Sequence, residues 1–413
     1  MPTQVTRRIR AATRAVLSTA VVTAVVLHAP LPLAAQAQAP APAQSEPVPP
    51  GWVFTPGIAV AQVWDNNVLL ATEGSQALGD FLTAISPRAT LGFRGRLSTF
   101  QLDYRGAYQL YQDLSELNAF DQRLNVSYRQ RLTPTIAFVA KNSLSRSPTT
   151  DEVDIPGVVF RRQGVVMDDL RAGLEARLSR RTTLSSDYTF QWLQFDDSDV
   201  PSPVEALERG GHAHGAVAQV DHVLGPRVTV GAEYEIRRAT VDQTRDFDAQ
   251  NAMATVDWRL DRRLTLSGGA GYSWLATNLA GDTRSAPAFR VNLSRSGERL
   301  AWHVGYRRSF LPSFGFGGTF ENQEFEAGVF GPITRRLDWS ASASVREADP
   351  LTSPELGLRS VWARSSLSYL ATRWMRIEGY YVAVFQDSQR PGGHINRSRA
   401  GIQVVTFTRT RIR

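Results

Sequence analysis

The chain has 413 residues, no cysteine and a formal net charge of +7 at neutral pH. A disulfide framework and a lipidated N-terminal cysteine are therefore excluded. Acidic and basic residues are interspersed without a basic block, which argues against nucleic acid as a partner. Beyond the N-terminal segment, the sequence has no apolar stretch long enough to span a membrane as a helix. Its apolar residues must therefore follow another pattern.

The N-terminus is predicted to be a secretory signal peptide, residues 1–37. Four arginines among the first 14 residues precede an apolar run at 15–27, and small residues follow it. A basic start, a short apolar core and a small-residue site are typical of a cleaved signal, here with the cut after Ala37. Residues 38–51, rich in proline and alanine, are predicted to be an extended linker. The remainder, 52–413, is predicted to be one domain.

Residues 252–275 show the pattern that recurs through this domain. Apolar side chains at Ala252, Val256 and Trp258 alternate with polar ones such as Asp257 and Arg259. A period of two produces separate faces only on a β-strand. After a short polar turn at 261–263 the alternation resumes up to residue 275. We predict an amphipathic hairpin whose strands have roughly the length that a tilted strand needs to cross a bilayer.

The same alternation predicts eighteen strands in all. The connections between strands alternate between short turns and longer loops, and the two longest loops are at 147–165 and 196–210. Short turns on one side and long loops on the other are typical of an outer-membrane barrel, with the short turns in the periplasm. The predicted strands span about 52–65, 81–93, 97–111, 119–131, 135–146, 166–178, 182–195, 211–223, 228–240, 248–260, 264–277, 285–295, 300–311, 320–330, 337–347, 359–370, 375–387 and 395–408.

The predicted fold is an all-β, transmembrane, antiparallel up-and-down β-barrel of about eighteen strands. An open sheet in lipid would leave the backbone groups of its edges without hydrogen-bond partners, so the first and last strands must pair. A barrel of this size encloses an aqueous channel unless something fills it. Because no separate plug domain is visible in the sequence, we expect the interior to be wet and open, or nearly so.

Charged residues and one histidine lie on the parity that is predicted to face the lumen. They either line a conduit for hydrophilic solutes or glycans, or only hold a polar interior together. The candidates are Asp103, Arg105, Glu233, Glu235, Arg237, Asp257, Arg259, His303, Arg307, Glu324, Glu326, Arg346, Arg376 and Glu378.

Aromatic residues lie on the opposite, apolar parity. We expect them to form the girdles that outer-membrane barrels place at the two membrane interfaces. The candidates are Trp192, Trp258, Tyr272, Trp274, Trp302, Trp339 and Tyr381.

Other polar groups carry weaker signals. His212 and His214 share a strand face but have no neighbouring ligand motif, so no metal site is assigned. Asp196, Asp197 and Asp199 form an acidic loop tip that lacks the glycine and distal glutamate of a helix-loop-helix calcium site. No catalytic motif is present and no cofactor is expected, so the chain is not predicted to be an enzyme. The expected surroundings are outer-membrane lipid and lipopolysaccharide.

The N-terminal third resembles the beta-barrel porin 2 family. The resemblance covers about 52–130, and the later strands match in architecture alone. It implies a bacterial outer-membrane barrel, often associated with exopolysaccharide export, and it transfers no catalytic residue. The residues that carry it are Pro56, the strand end 64–68, Asp80 and Phe81 leading to Pro87, and residues 102–104 with Tyr108 and Tyr111 before Asn118.

The C-terminus departs from the usual outer-membrane pattern. Such barrels commonly end on an aromatic residue, whereas residues 408–413 follow Phe407 here. We predict a porin-like channel for a hydrophilic substrate, and favour export of an exopolysaccharide, with a polysaccharide export system as a possible partner. A general diffusion porin for small solutes is the first alternative. An outer-membrane adhesin that uses its long loops, or a barrel enzyme, is the second.

Overall fold

The computed structural model describes residues 50–72, 76–152, 160–196, 210–241, 245–277, 283–313, 318–350, 357–388, 393–408 and 410–412. The predicted signal peptide and nearly all of the linker lie outside the described residues. Among the described residues, no helix is long and apolar enough to cross a membrane. Two short 3-10 helices, Ser115–Leu117 and Thr150–Glu152, accompany the strands.

The strands are β1 (Gly51–Asp65), β2 (Asp80–Arg94), β3 (Ser98–Tyr111), β4 (Ala119–Arg131), β5 (Ile136–Ser147), β6 (Val165–Arg177), β7 (Thr182–Phe195), β8 (Gly211–Gly225), β9 (Val228–Val241), β10 (Arg245–Arg259), β11 (Leu264–Thr277), β12 (Thr283–Arg295), β13 (Ala301–Ser313), β14 (Gly318–Pro332), β15 (Leu337–Pro350), β16 (Leu358–Thr372), β17 (Met375–Ser388), β18 (Ile395–Phe407) and β19 (Thr410–Ile412).

The strands form one closed antiparallel sheet. Each strand from β1 to β18 pairs with its neighbours in the chain, and β1 also pairs with β18. The three-residue β19 continues the ladder of β18 in the same register, since Gly57 faces Phe407 and Trp52 faces Ile412. The predicted eighteen-strand barrel is therefore confirmed. Residues that the sequence placed beyond the last strand extend the closing ladder.

The two faces of the sheet differ in chemistry. On β1, Trp52, Ile58 and Val60 are exposed on one face, while Val63 and Asp65 on the other are at most 2% exposed. The exposed face carries aromatic pairs near both ends of the strand, with Trp52 and Phe93 ring centroids 4.8 Å apart. Because a belt of apolar side chains on the outside of a closed barrel is stable only in contact with lipid, the protein is an outer-membrane barrel.

The connections at the two ends of the barrel differ in length. At one end the strands are joined by tight turns such as the one after β10, where Asp261 Oδ1 accepts the backbone N–H groups of Arg263 and Leu264. These hydrogen bonds lower the pKa of the Asp261 carboxyl. The long connections lie at the opposite end, which we call the extracellular end.

Candidate functional site in the barrel lumen

The connection between β5 and β6 folds into the barrel. Of its residues 148–164, the structure describes 148–152 and 160–164. Its two arms are tied together, because Thr150 N–H donates to the Arg161 carbonyl (3.0 Å) and Arg161 N–H donates to Thr150 Oγ1 (2.8 Å). Thr149, Thr150 and Asp151 are at most 2% exposed. We call the described residues 148–152 and 160–164 the inward loop.

The first arm of the inward loop is held by a buried arginine of β18. Arg397 Nη1 donates to Asp151 Oδ2 at 2.6 Å, and Arg397 Nε donates to Asp65 Oδ2 of β1 at 2.9 Å. The three side chains are 0–1% exposed. Because a buried charge is tolerated only when it is paired and hydrogen-bonded, the two carboxylates and the guanidinium require one another.

A second ion pair lies beside the first. Arg399, two residues along the same face of β18, binds the carboxylate of Glu152, and Arg123 Nη2 of β4 donates to the Glu152 carbonyl at 3.0 Å. Burial alone would raise the pKa of the Glu152 carboxyl, but Arg399, Arg397 and Arg123 lower it to about 2. Glu152 is therefore an anion at physiological pH.

The second arm contacts the barrel wall independently. Phe160 N–H donates to Gln386 Oε1 of β17 at 2.7 Å, and Phe160 belongs to an apolar cluster with Leu70, Val382, Val384 and Ile395.

Arg162, also in the second arm, contacts the wall at β3. Its Nη1 donates to the Tyr111 hydroxyl at 3.2 Å, and its guanidinium carbon lies 5.1 Å from the centre of the Tyr111 ring. The inward loop thus leaves the wall at β5, returns at β6, and contacts β1, β3, β4, β17 and β18 on their charged face. The described residues of both arms therefore lie inside the barrel, against the lumen face of these strands.

The expectation of an interior that is open, or nearly so, is refined, because the described residues of the inward loop lie inside the barrel. The inward loop narrows the lumen near the extracellular end, and its described residues are not part of an outward adhesive surface. Strand alternation predicts which face a residue occupies, but it carries no information about where a loop goes. The residues that hold the loop, Asp65, Asp151, Glu152, Arg397 and Arg399, were not among the sequence candidates.

Three arginines form a basic strip on the lumen face of β2, β3 and β4. Arg88 lies directly opposite Arg105, and Arg105 lies directly opposite Arg123. Arg88 Nη2 is 3.5 Å from Gln403 Oε1, while Arg88 Nε is buried and has no hydrogen-bond partner among the described residues. Adjacent strands are about 4.8 Å apart, so three positive charges are held close together. Arg105 is a sequence candidate, whereas Arg88 and Arg123 were missed.

The candidate Asp103 lies beside this strip but is held by neighbouring groups. Its Oδ1 accepts the Thr90 hydroxyl at 2.7 Å, and its Oδ2 accepts the Gln101 side-chain amide at 2.6 Å.

Most acidic candidates elsewhere in the lumen are paired with arginines of adjoining strands. Glu324 accepts from both Arg307 (3.2 Å) and Arg346 (3.0 Å). Further pairs are Glu233 with Arg290 at 3.1 Å, Glu235 with Arg237 at 2.8 Å, and Glu378 with Arg364 at 3.4 Å. These contacts pair carboxylates with guanidinium groups around the wall. Within the basic strip, Arg123 likewise lies 3.7 Å from Asp121, while Arg88 and Arg105 face each other on adjacent strands.

The remaining lumen candidates are distributed around the wall and do not converge. Asp257 lies opposite Ser267, Arg259 opposite Thr265, and His303 opposite Ser294. Glu326 lies opposite Gly305, and Arg376 lies opposite Val405. The structure brings together Glu324, Arg307 and Arg346 but assembles no single centre from the whole set.

The girdle candidates lie on the outward face. Trp258, Tyr272, Trp274 and Tyr381 are 38–53% exposed, and the Tyr272 and Trp274 ring centroids are 6.2 Å apart. Trp192, Trp302 and Trp339 share the outward parity of their strands, being paired with His212, Val329 and Leu367, respectively.

His212, His214 and Asp196, which carried weaker signals, lie outside the lumen. His212 and His214 are on the outward face of β8, with ring centroids 5.3 Å apart, and His214 Nδ1 is 2.6 Å from the Tyr188 hydroxyl. Within the described part of the chain, no group of three or more potential ligands could hold a metal ion. Asp196 pairs with Arg146 at 2.9 Å, while Asp197 and Asp199 lie outside the described residues.

Comparison with known proteins finds solved structures that are similar to this chain. No family model matches the chain, so its resemblance to the beta-barrel porin 2 family stays a prediction. No curated protein matches it either.

The chain is similar to OpdK of Pseudomonas aeruginosa, solved with vanillate, at 9% identity and a TM-score of 0.43, over 86% of this chain and 99% of that one. It is also similar to OccAB3 of Acinetobacter baumannii at 7% identity and a TM-score of 0.47, over 87% and 99% of the two chains. It is similar to OpdL of Pseudomonas aeruginosa at 12% identity and a TM-score of 0.43, over 87% of this chain and 99% of that one. Similarity this remote carries no argument about function.

Proposed function

We propose that the protein is a passive outer-membrane channel for small hydrophilic solutes, with a preference for anions. The observation that carries the proposal is the inward loop, whose first arm is fixed against the charged lumen wall by the buried pairs of Arg397 with Asp65 and Asp151. A closed barrel of this size encloses an aqueous path. A loop held inside the barrel narrows that path and limits the size of the solutes that pass.

The preference for anions rests on the basic strip. Arg88 and Arg105 repel one another across adjacent strands, and an anion beside them relieves this repulsion. Two unit charges 4 Å apart interact by about 1 kcal/mol in bulk water and by more in a less polar pore. A strip of one charge sign therefore raises the local concentration of anions on the permeation path.

Export of an exopolysaccharide is less compatible with this geometry. A polymer would have to pass a loop that is anchored at Asp151 and Glu152 on one arm and at Phe160 and Arg162 on the other. Several of these contacts would have to break before each chain could thread the lumen. A diffusion channel needs no such rearrangement.

The proposal is tested with purified full-length protein in planar bilayers and in liposomes. Under a potassium chloride gradient, the reversal potential should report selectivity for chloride, and liposomes should swell in monosaccharides and not in long maltodextrins. Equal permeation of long maltodextrins would favour polymer export instead. Bilayers without conductance would overturn the channel function itself.

A further inference from the structure

The short turns at the end opposite the long loops are rich in arginine. In outer-membrane barrels the end with short turns faces the periplasm. Eight such turns join the hairpins from β2–β3 to β16–β17, and seven of them contain at least one arginine. Their acidic residues are Asp261 and Glu298 alone. We call the arginines of these turns the periplasmic collar.

Three turns of the collar contain two adjacent arginines and share one local conformation. Ser179 Oγ accepts the backbone N–H groups of Arg181 (3.1 Å) and Thr182 (3.0 Å). Thr334 Oγ1 and Asp261 Oδ1 accept the corresponding two N–H groups of their own turns. The same built turn therefore presents an arginine pair at three places on the rim. The sequences are LSRR at 178–181, LDRR at 260–263 and ITRR at 333–336.

The turns lie side by side around the rim. Val223 N–H donates to the Arg181 carbonyl at 2.8 Å, which joins the turn after β6 to β8. Arg259 N–H donates in the same way to the Arg227 carbonyl at 2.8 Å, which joins the turn after β8 to β10. The arginines consequently follow one another around the perimeter and are not gathered into one compact patch.

The charges of the arginine pairs are not balanced within the barrel. Arg180, Arg181, Arg335 and Arg336 are exposed, and none forms an ion pair with a residue that the structure describes. Exposed arginines near the extracellular end differ, because each contacts a carboxylate. Those pairs are Arg146 with Asp196 at 2.9 Å, Arg238 with Asp246 at 2.8 Å and Arg359 with Glu347 at 3.4 Å. Anions from outside the chain are therefore needed to balance the collar.

The collar lies at the depth of lipid headgroups. Trp258 is exposed on the outward face and lies directly opposite Val228, the residue after Arg227. Tyr369 is likewise exposed and lies directly opposite Leu337, which begins β15. Tryptophan and tyrosine side chains mark the boundary between hydrocarbon and headgroups. The turns thus begin where the hydrocarbon of the periplasmic leaflet ends.

Large apolar side chains accompany the arginines of the collar. Leu178 and Ile333, the first residues of two turns with arginine pairs, are 61% and 56% exposed. An acidic soluble protein would leave these side chains unexplained, and it would contact one sector of the rim. A lipid contacts the whole perimeter and offers both an apolar chain and a charged headgroup.

We propose that the periplasmic collar binds anionic phospholipids of the periplasmic leaflet through their phosphate groups. Guanidinium groups bind phosphate oxygens in a bidentate manner, which favours arginine over lysine at such sites. Basic residues at the membrane surface attract anionic lipids. The acyl chains would lie against Leu178 and Ile333, and the phosphates against the arginine pairs that follow. This binding is separate from permeation, because it occurs on the rim and not in the lumen.

The test uses full-length protein in detergent micelles, with native mass spectrometry to count retained dioctanoyl phosphatidylglycerol and dioctanoyl phosphatidylcholine. The collar variant removes two arginine pairs but keeps the hydroxyls that fix the turns: Arg180→Gln/Arg181→Gln/Arg335→Gln/Arg336→Gln. A single-turn variant is Arg335→Gln/Arg336→Gln. The control removes four exposed arginines near the extracellular end: Arg146→Gln/Arg238→Gln/Arg308→Gln/Arg359→Gln. Circular dichroism verifies that each variant is folded.

The native protein should retain more phosphatidylglycerol than phosphatidylcholine. This excess should shrink in 1 M salt, where the screening length is only about 3 Å. The collar variant should lose most of the excess, the single-turn variant a smaller part, and the control none. Equal retention of the two lipids by the native protein, an unchanged excess in the collar variant, or an equal loss in the control would overturn the proposal.

Two competitors distinguish other anions. Equimolar inorganic phosphate should leave phosphatidylglycerol bound, and its displacement would reduce the collar to a site for free phosphate. Labelled poly-L-glutamate should not bind native protein in phosphatidylcholine nanodiscs. Its binding, together with no excess of phosphatidylglycerol, would identify an acidic polypeptide as the partner and overturn the lipid assignment.

Discussion

Single residues decide whether the lumen is narrowed. Arg397 is the shared partner of Asp65 and Asp151. Replacing it leaves the buried Asp65 carboxylate without a cation and leaves Asp151 only Arg399, at 3.9 Å. The sequence motif that includes Asp65 continues with Asn66 and Asn67, which also contact β18, through Ser398 N–H and the Asn396 carbonyl. The residues that suggested a family resemblance thus join the first hairpin to the last strand.

Arg397→Met should release the inward loop. Breaking a buried ion pair by removing one partner typically costs about 3–5 kcal/mol. We expect larger single-channel conductance and a lower midpoint of thermal unfolding. Arg129→Met is the matched control, because the Arg129–Glu175 pair is 39–51% exposed and exposed pairs contribute about 0–1 kcal/mol. Equal conductance and equal midpoints in the two variants would contradict this role of Arg397.

The inward loop should also respond to acid. Since the pKa of Glu152 is lowered to about 2 from 4.5, its stabilising contribution is fully present above pH 4.5 and is lost as the pH falls through about 2. We expect constant single-channel conductance down to about pH 4 and a rise as the pH approaches 2. Glu152→Gln should lack this step, and a rise of the same size at the same pH in that variant would rule out Glu152 as its source.

Among the secondary-structure elements, the positions of the strands could be predicted from the sequence. The places where a strand departs from regular alternation or pairing could not. Alternation identified the hairpin of β10 and β11, with Asp257 and Arg259 on one face and Trp258 on the other, because a period of two is a local property. The burial of Phe310 of β13 in one cluster with Phe247 and Leu275, and the pairing of β19 with β1, depend on strands distant in sequence. Local alternation contains no signal for either feature.

The basic strip should determine ion selectivity. Arg88→Gln/Arg105→Gln should shift the reversal potential toward that of a less selective channel, since about 1 kcal/mol per charge corresponds to roughly a fivefold change in an equilibrium constant. The shift should be large at about 0.1 M salt and small at 1 M, where the screening length is only about 3 Å.

The control for the basic strip is Arg238→Gln/Arg308→Gln. It removes the same number of charges from the outward face, where Arg238 pairs with Asp246 and Arg308 with Glu321. This variant should keep the native selectivity. An equal shift in both double variants would show that net charge, and not the position of the strip, sets the preference.

For the whole molecule, closure of the barrel could be predicted because every backbone group in lipid needs a partner. Occupation of the lumen by the inward loop could not be predicted, because it depends on a hydrogen bond between Arg397 and Asp151, which are 246 positions apart in the sequence. Opposite charges at that separation have many possible partners in a chain with 46 basic and 39 acidic residues. Only the three-dimensional arrangement selects the pair that forms.

We propose that a size-limited aqueous channel runs through the barrel beside a fixed inward loop. Its size limit is measured by the single-channel conductance of the native protein in size-graded polyethylene glycols. We predict that small polymers reduce the conductance and large ones leave it unchanged, with the cut-off displaced to larger polymers in Arg397→Met. A native protein without conductance, or one whose channel admits the large polymers as freely as the small ones, would contradict the account.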